Sequence, residues 1–210
     1  MSATIVRARK KVWDGTVAFL TDNLKFLLVD INSLTQAKSI TAATNATPIV
    51  VTSTAHGYSN GDFIAVYGVT GNTNANGYRK VANVTTNTYE LNDPVTGANI
   101  AGNGAFGGTA FGVSLEVMEF ISDITAAIVA RSGNLGTKST TRGIFTCANP
   151  TFTAATGAVS ELMVVAKDTG TDSTSPLLFF LDTFSSGMPV TPNGGDITCT
   201  IAAGGVAQMF

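Results

Sequence analysis

The chain has 210 residues, of which 44% are hydrophobic and 12% are charged, and its formal net charge is −2. The hydrophobic fraction excludes a disordered chain, and the slight negative charge argues against nucleic acid as the main partner. The charged fraction is about half that of an average soluble domain, in which roughly a quarter of the residues are charged. The polar surface must therefore come from the 31 threonines together with serine and asparagine. This composition favours a protein packed in an assembly or exposed as a rigid β shell.

The N-terminal segment, residues 2–13, is predicted to be an edge strand or an arm. Its four positive charges are interpreted as a solvated arm, as an arm that docks on an acidic neighbouring subunit, or as a DNA contact. These charges interrupt the first apolar stretch, so no secretory signal peptide is expected. The candidate assembly contacts are these basic residues and the tryptophan that follows them: Arg7, Arg9, Lys10, Lys11 and Trp13.

The apolar run Leu24–Ile31 predicts a core strand. Residues 37–48 change to Ala, Thr, Ser and Asn and are interpreted as a linker. Short β-branched and aromatic runs then follow at intervals typical of a small antiparallel barrel or sandwich. The predicted strands are Ile49–Ser53, Phe63–Tyr67, Tyr78–Val84, Thr88–Leu91 and Ala105–Phe111.

Four Asn-Gly pairs punctuate the chain, at residues 60–61, 76–77, 103–104 and 193–194. Asn-Gly is a strong hairpin signal, because a type I′ turn needs a positive φ at both central positions. Each pair therefore predicts a hairpin turn.

The C-terminal part returns to strands after an irregular stretch. Val113–Met118 alternates as a strand, Phe120–Val129 has the spacing of a short helix, and residues 131–143 are predicted to be a loop. The later predicted strands are Gly143–Cys147, Thr151–Ala154, Glu161–Lys167, Leu177–Asp182 and Ile197–Ile201. Leu162–Ala166 and Leu177–Leu181 are almost wholly apolar, which predicts central strands buried on both faces.

These elements predict a mainly β protein with two parts. Residues 1–36 and 113–210 are expected to form a discontinuous antiparallel β-sandwich or jelly-roll-like base domain. Residues 37–112 are expected to form an inserted small all-β module, a barrel or a sandwich. No apolar run is long enough to cross a membrane, so no membrane partner is expected.

The residue types that carry catalysis are scarce, so no enzymatic activity, metal or cofactor is expected. A Ser-His-Asp hydrolase needs a histidine base, and His56 lies among turn residues, which predicts a turn-stabilising role. One histidine and two distant cysteines cannot supply the ligands of a zinc site. Cys147 and Cys199 are interpreted as cross-strand neighbours or as two small buried thiols in a reducing compartment.

Three other patterns are candidate ligand sites. Gly133–Thr140 hints at a phosphate loop, but Thr137 interrupts its Gly-Lys pair. Acidic residues near the loop between the strongest strands suggest either calcium or an ordinary solvated loop: Asp168, Asp172 and Asp182. Tyrosines cluster in the middle module and predict either a ligand surface or packing: Tyr58, Tyr67, Tyr78 and Tyr89.

Two stretches resemble proteins of tailed bacteriophages. The middle module carries H-G-x(3)-G-D at residues 56–62, V-x-G-x-x-G-N-x-x-A-N-G at residues 66–77 and N-T-Y-x-L at residues 87–91, and is similar to a small β module that recurs in virion proteins. Residues 167–183 and 187–201 resemble the C-terminal half of small phage structural proteins, and residues 24–32 look like their first core strand. The resemblance implies a virion component and transfers no catalytic or ligand-binding residue.

The resemblance leaves the place in the virion open. From the low charge, the apolar strands and an inserted module that could project outward, we expect a capsid decoration (cement) protein that binds the outer capsid surface and stabilises the shell. Its partners would be the major capsid protein or other virion structural proteins, and its location the virion, assembled in the host cytoplasm. A homo-oligomer is expected, with a trimer favoured because phage decoration proteins are often trimers.

Two other functions are alternatives to the decoration role. The first is a tail or baseplate protein whose inserted module contacts the host surface, with Tyr58, Tyr67 and Tyr78 as contacts. The second is a hydrolase of the cell envelope. The hydrolase is disfavoured because the sequence offers no second histidine and no paired carboxylates.

Overall fold

The computed structural model describes residues 2–4, 11–114, 117–181, 184 and 186–208. The chain forms two compact units: a base unit, Met1–Ser33 with Met118–Phe210, and an inserted unit, Leu34–Val117. Both are built from antiparallel strands, in sheets consistent with a β-sandwich. The predicted mainly β, antiparallel fold class is therefore confirmed. Within the described residues, none of the helices has the length and apolar character needed to span a membrane.

The strands are short, and the helices among the described residues that can be assigned bounds are 3₁₀ helices. In chain order the strands are β1 (Ser2–Thr4), β2 (Leu24–Val29), β3 (Ala37–Ile40), β4 (Ala42–Ala43), β5 (Val50–Thr52), β6 (Phe63–Tyr67), β7 (Thr70–Gly71), β8 (Gly77–Ala82), β9 (Thr88–Asn92), β10 (Phe106–Gly107), β11 (Ala110–Ser114), β12 (Ile128–Arg131), β13 (Ser139–Thr141), β14 (Ile144–Thr146), β15 (Thr151–Phe152), β16 (Leu162–Lys167), β17 (Leu177–Leu181), β18 (Ile197–Thr198) and β19 (Ala207–Gln208). The 3₁₀ helices are Ile31–Ser33, Thr73–Ala75, Ile121–Ala127 and Asp172–Thr174.

The core of the base unit is a five-stranded sheet in the order β1-β17-β16-β2-β12. Every residue of β17 is buried, as are the first five residues of β16. The prediction that these apolar runs are central strands buried on both faces is confirmed. Two smaller sheets complete the unit, β13-β14-β19 and β15-β18.

The inserted unit is a seven-stranded sheet in the order β3-β11-β6-β8-β9-β5-β4, with β7 and β10 paired beside it. Its two edge strands, β3 and β4, are separated in sequence by Thr41 alone. The sheet must therefore curl until its edges lie close together. Among the described residues β3 and β4 do not pair with each other, so the barrel alternative for this module is wrong.

The interpretation of residues 37–48 as a linker is also wrong, because β3 and β4 lie within them. Ile40 and Ala43 are buried in the core of the inserted unit. These small residues have weak strand preferences of their own, and pairing with β11 and β5 determines their conformation.

Three other elements differ from their predictions. The strand predicted over Val113–Met118 does not continue to Met118, since β11 ends at Ser114 and residues 117–118 are outside any strand; residues 115–116 lie outside the described residues. The predicted helix over Phe120–Val129 is a 3₁₀ helix that gives way to β12 at Ile128. The predicted loop 131–143 contains β13, which turns into β14 through residues 142–143, both with positive φ.

The Asn-Gly pairs do not form type I′ turns, because none of the four asparagines has a positive φ. Their side chains hold loops instead. The amide of Asn76 accepts a hydrogen bond from the Val69 N–H at 3.0 Å and donates one to the Val69 carbonyl at 2.8 Å. Asn60 Oδ1 accepts a hydrogen bond from the Val84 N–H at 3.0 Å. The pattern predicted type I′ turns; in the structure the amide side chains of Asn60 and Asn76 form hydrogen bonds to backbone groups of other loops.

Asn72, which is fully buried, links two other segments of the inserted unit. Its Oδ1 accepts a hydrogen bond from the Asn103 N–H at 3.0 Å, and its Nδ2 donates one to the Thr44 carbonyl at 2.9 Å. A buried donor or acceptor left without its partner costs about 1–3 kcal/mol. The Asn72 side chain is therefore expected to be a major local source of stability.

Replacing Asn72 by alanine should lower the free energy of unfolding by about 1–3 kcal/mol, because the buried side chain is removed and the part-buried Asn103 N–H and Thr44 carbonyl lose their partner. Urea denaturation followed by circular dichroism measures the loss. Asn74→Ala is the matched control: that residue is exposed and its amide donates one hydrogen bond, to the Ala101 carbonyl at 2.9 Å, so its loss should stay below about 1 kcal/mol. Equal losses for the two variants would contradict the assignment.

Candidate functional site

The candidate assembly contacts divide into three groups. Arg7, Arg9 and Lys10 lie outside the described residues. Lys11 is engaged within the base unit: its Nζ lies 2.9 Å from Glu119 Oε1 and 4.5 Å from the centre of the Phe120 ring. Trp13 is 87% exposed. Since tryptophan is on average one of the more buried residue types, its indole offers a large apolar contact to a partner.

Four other large hydrophobic side chains among the described residues are exposed, two in each unit: Leu20, Val95, Val117 and Val159. Isolated exposed aliphatic residues are normal on protein surfaces. Trp13 differs from them in size, and Lys11, two residues before it, forms an ion pair with Glu119.

A groove of about 490 Å³ opens on the base unit. Phe26 and Leu28 of β2 and Met163 of β16 contribute to its lining, and Met188 and Cys199 line it from the C-terminal part. Its volume lies within the range of small-molecule pockets.

The two cysteines are free thiols, Cys147 buried and Cys199 half-buried. Burial, together with a smaller contribution from the neighbouring Cys199, raises the pKa of Cys147 to about 11. Burial also raises the pKa of Cys199. Both thiols are therefore protonated at neutral pH, a state of low reactivity.

The acidic loop holds its carboxylates in separate ion pairs. Asp168 Oδ2 lies 2.6 Å from Lys25 Nζ, and Asp172 receives two hydrogen bonds of 2.6 Å from the Arg131 guanidinium. These partners lower the pKa of both carboxyl groups. Asp182 lies outside the described residues. The two described carboxylates thus bind side chains of the same unit.

The glycine-containing segment 133–140 is likewise bound to the base unit. The Leu135 N–H donates to the Leu24 carbonyl at 2.8 Å, and Lys138 Nζ donates to the Asp22 carbonyl. The lysine that a phosphate loop would need is thus used to hold the segment. Among the described residues no group of three or more His, Cys, Asp or Glu side chains is arranged to hold a metal ion.

Sequence reasoning missed a pair of neighbouring carboxylates, Asp30 and Glu161. Val29 pairs with Leu162, which places the residue after β2 beside the residue before β16. Only the register of these two strands, which lie far apart in the chain, could have revealed the pair. Glu161 Oε2 accepts a hydrogen bond from the Ile31 N–H at 3.1 Å.

The pKa values of the two carboxyl groups are shifted in opposite directions. Burial raises the pKa of Glu161, and the charge of Asp30 raises it further. Burial also tends to raise the pKa of Asp30, but hydrogen bonds from Ser33 and Asn32 outweigh it and lower that pKa. The oxygens of Asp30 are occupied by the turn at residues 31–33, including a 2.6 Å bond from Ser33 Oγ. Asp30 and Glu161 therefore both accept hydrogen bonds from the turn at residues 31–33 and hold it in place.

Glu161→Gln should become increasingly favourable to stability, relative to the unchanged protein, as pH rises from about 4 to 7. A carboxyl whose folded pKa lies above the unfolded value of about 4.3 stabilises less once it ionises, and glutamine does not ionise. Urea unfolding at several pH values measures the difference. Asp172→Asn is the control of opposite sign, since its pKa is lowered by Arg131 and its loss should cost most at neutral pH. Parallel pH profiles for the two variants would contradict this assignment.

Three aromatic side chains pack together inside the inserted unit. The ring centroids of His56 lie 4.9 Å from those of Tyr58 and Tyr89, and the two tyrosine rings are 5.4 Å apart. His56 Nδ1 accepts a hydrogen bond from the Tyr58 N–H at 3.1 Å, which confirms its turn-stabilising role. Tyr58 is 7% exposed and Tyr89 is fully buried, so neither offers its ring to an external ligand.

The remaining tyrosines of the predicted ligand surface are half-buried. Tyr78 stacks on Phe63 with ring centroids 5.4 Å apart, and Tyr67 ends β6. The four tyrosines therefore differ in burial: Tyr67 and Tyr78 keep part of their surface exposed, whereas Tyr58 and Tyr89 are buried.

Several of the residues that carry the resemblance of the middle module form hydrogen bonds that hold its fold. Besides His56 and the asparagines at positions 72 and 76, Asp62 Oδ2 accepts a hydrogen bond from the Ser59 N–H at 2.7 Å. Asn87 Oδ1 accepts one from the Ala55 N–H at 3.0 Å. No protein-family model matches the chain, and no curated protein matches its sequence.

Proposed function

We propose that this protein is a structural component of a tailed-phage virion, a decoration protein that binds the outer capsid surface and stabilises the shell. The resemblance of the middle module and of the C-terminal segments to phage structural proteins supports the virion assignment. The major capsid protein, or another virion structural protein, is the partner, and a homo-oligomer, with a trimer favoured, is the bound form.

The observation that carries the assembly role is the exposure of Trp13. Tryptophan is among the residues most often found at the energetic centre of protein interfaces. Eight charged side chains of the base unit are held in ion pairs within it: Lys11–Glu119, Lys25–Asp168, Arg131–Asp172 and Lys167–Asp22. These eight are already engaged within the unit, whereas the indole of Trp13 is free to form an apolar contact with a partner. The shell gains stability because one modest contact is repeated at many symmetric positions.

The proposal is tested on particles from cells that encode the chain. DNA-filled heads without tails are separated from free tails, with the major capsid protein and the tail tube protein as markers of each fraction. We expect quantitative mass spectrometry to find the chain in the heads, in numbers comparable to the capsid subunits.

Two results would overturn the decoration role in different ways. Recovery of the chain in the tail fraction alone would establish the tail or baseplate alternative. Absence from both fractions would exclude a virion component altogether.

Trp13→Ala should weaken attachment of the purified protein to heads stripped of it by at least about tenfold, because loss of a central tryptophan typically costs 2 kcal/mol or more. Its melting temperature should be unchanged, since the side chain is exposed. Cosedimentation measures the attachment. Val95→Ala, at a residue 91% exposed on the inserted unit, is the matched control. Equal attachment by both variants would exclude Trp13 as a contact.

A further inference from the structure

Four buried side chains of the inserted unit each have a polar atom without a hydrogen-bond partner: Ser53 Oγ, His56 Nε2, Tyr58 Oη and Tyr89 Oη. Three of them belong to the packed aromatic cluster, and Ser53 lies three residues before His56 in the chain. All four side chains are more than nine-tenths buried. Buried polar groups in native proteins almost always have a partner, either protein or ordered water. So many unpaired atoms in one short segment and its neighbours indicate a bound polar ligand.

The two tyrosine hydroxyls converge on Gly112 of β11. The position that a Cβ atom would occupy at Gly112 lies 2.9 Å from Tyr89 Oη and 3.0 Å from Tyr58 Oη. The two oxygens are therefore at most about 6 Å apart, yet they are not hydrogen-bonded to each other. One water molecule with hydrogen bonds of about 2.8 Å spans two oxygens roughly 4.5–5.5 Å apart. That span lies below the upper limit on the distance between the two hydroxyl oxygens.

The chemistry of the cluster favours a small neutral ligand that can both donate and accept. Burial raises the pKa of Tyr58 and of Tyr89, so both hydroxyls are neutral. Because His56 Nδ1 accepts a hydrogen bond, the neutral imidazole carries its proton on Nε2 and offers a donor there. Water is the ligand that satisfies neutral donors and acceptors together.

We propose that a water molecule is held permanently inside the inserted unit, hydrogen-bonded to Tyr58 Oη and Tyr89 Oη beside Gly112. Glycine at position 112 keeps this space open, since a methyl group there would press on both hydroxyls. A protein buries on the order of one water per 27 residues, so a unit of this size is expected to hold about three. This site does not depend on the proposed virion function.

Replacing the hydroxyls one at a time tests the site in the full chain. Tyr58→Phe and Tyr89→Phe should each lower the melting temperature by about 4 °C, because the water loses a partner and the remaining hydroxyl is left unpaired. The double variant should lose much less than the sum of the two, because both single changes release the same water. A rise in melting temperature, or no change, would overturn the proposal, since removing an unpaired buried hydroxyl is neutral or stabilising.

Two direct measurements complete the test. A crystal structure at high resolution should show a solvent peak about 2.7–3.2 Å from both hydroxyl oxygens. Magnetic relaxation dispersion of water nuclei should count one fewer long-lived internal water in the double variant. A dry cavity, a direct bond between the hydroxyls or an unchanged count would overturn the proposal.

Discussion

The pairing of β2 with β16 is the constraint on which the base unit depends. It joins residues 24–29 to residues 162–167 in an unbroken antiparallel ladder. The inserted unit lies between these two strands in the sequence. One end of the ladder places Asp30 beside Glu161, and at the other end Lys25 forms an ion pair with Asp168. The entropic cost of closing so long a loop grows only slowly with its length. An apolar ladder buried on both sides can therefore tolerate a large insertion.

The inserted unit is held by a different kind of interaction. Its loops are fastened by neutral side-chain amides, with Asn72 and Asn76 each bonding to backbone groups of other segments. Neutral amides neither titrate nor respond to ionic screening in the way that exposed ion pairs do. A chain with few charges can thus hold its polar loops in a fixed geometry. The cost is that each buried amide must find its partners, because an orphan is expensive.

The sequence allowed prediction wherever burial alone decides the structure. Residues 24–29, 162–166 and 177–181 form core strands because burying so much apolar surface is favourable. The predicted strand Leu24–Ile31 ends at Val29, and Ile31 begins a 3₁₀ helix. Prediction failed where tertiary pairing outweighs local preference. The small residues of β3 and β4 gave no apolar signal. The side chains of Asn60, Asn76 and Asn103 accept hydrogen bonds from backbone N–H groups of other segments, a role that the Asn-Gly pattern does not encode.

The same distinction applies to the candidate sites. Trp13 could be singled out from its residue type and its charged neighbours. The proximity of Asp30 to Glu161 could not, because it follows from a strand register that no local pattern encodes. The convergence of Tyr58 and Tyr89 on Gly112 also needs three segments in their final places. Composition indicated that these tyrosines lie together and left open whether they face inwards.

The arrangement of β3 and β4 has a consequence for behaviour at high concentration. Exposed strand edges are the usual templates for cross-β aggregation, and charged side chains are a common defence against it. This chain has few charges, but the edges of its largest sheet are two short strands joined through Thr41 and curled towards each other. At this sheet a neighbouring molecule would find only short edges on which to add a strand, four residues in β3 and two in β4. Short edges of this kind limit strand addition where few charges are present to oppose it.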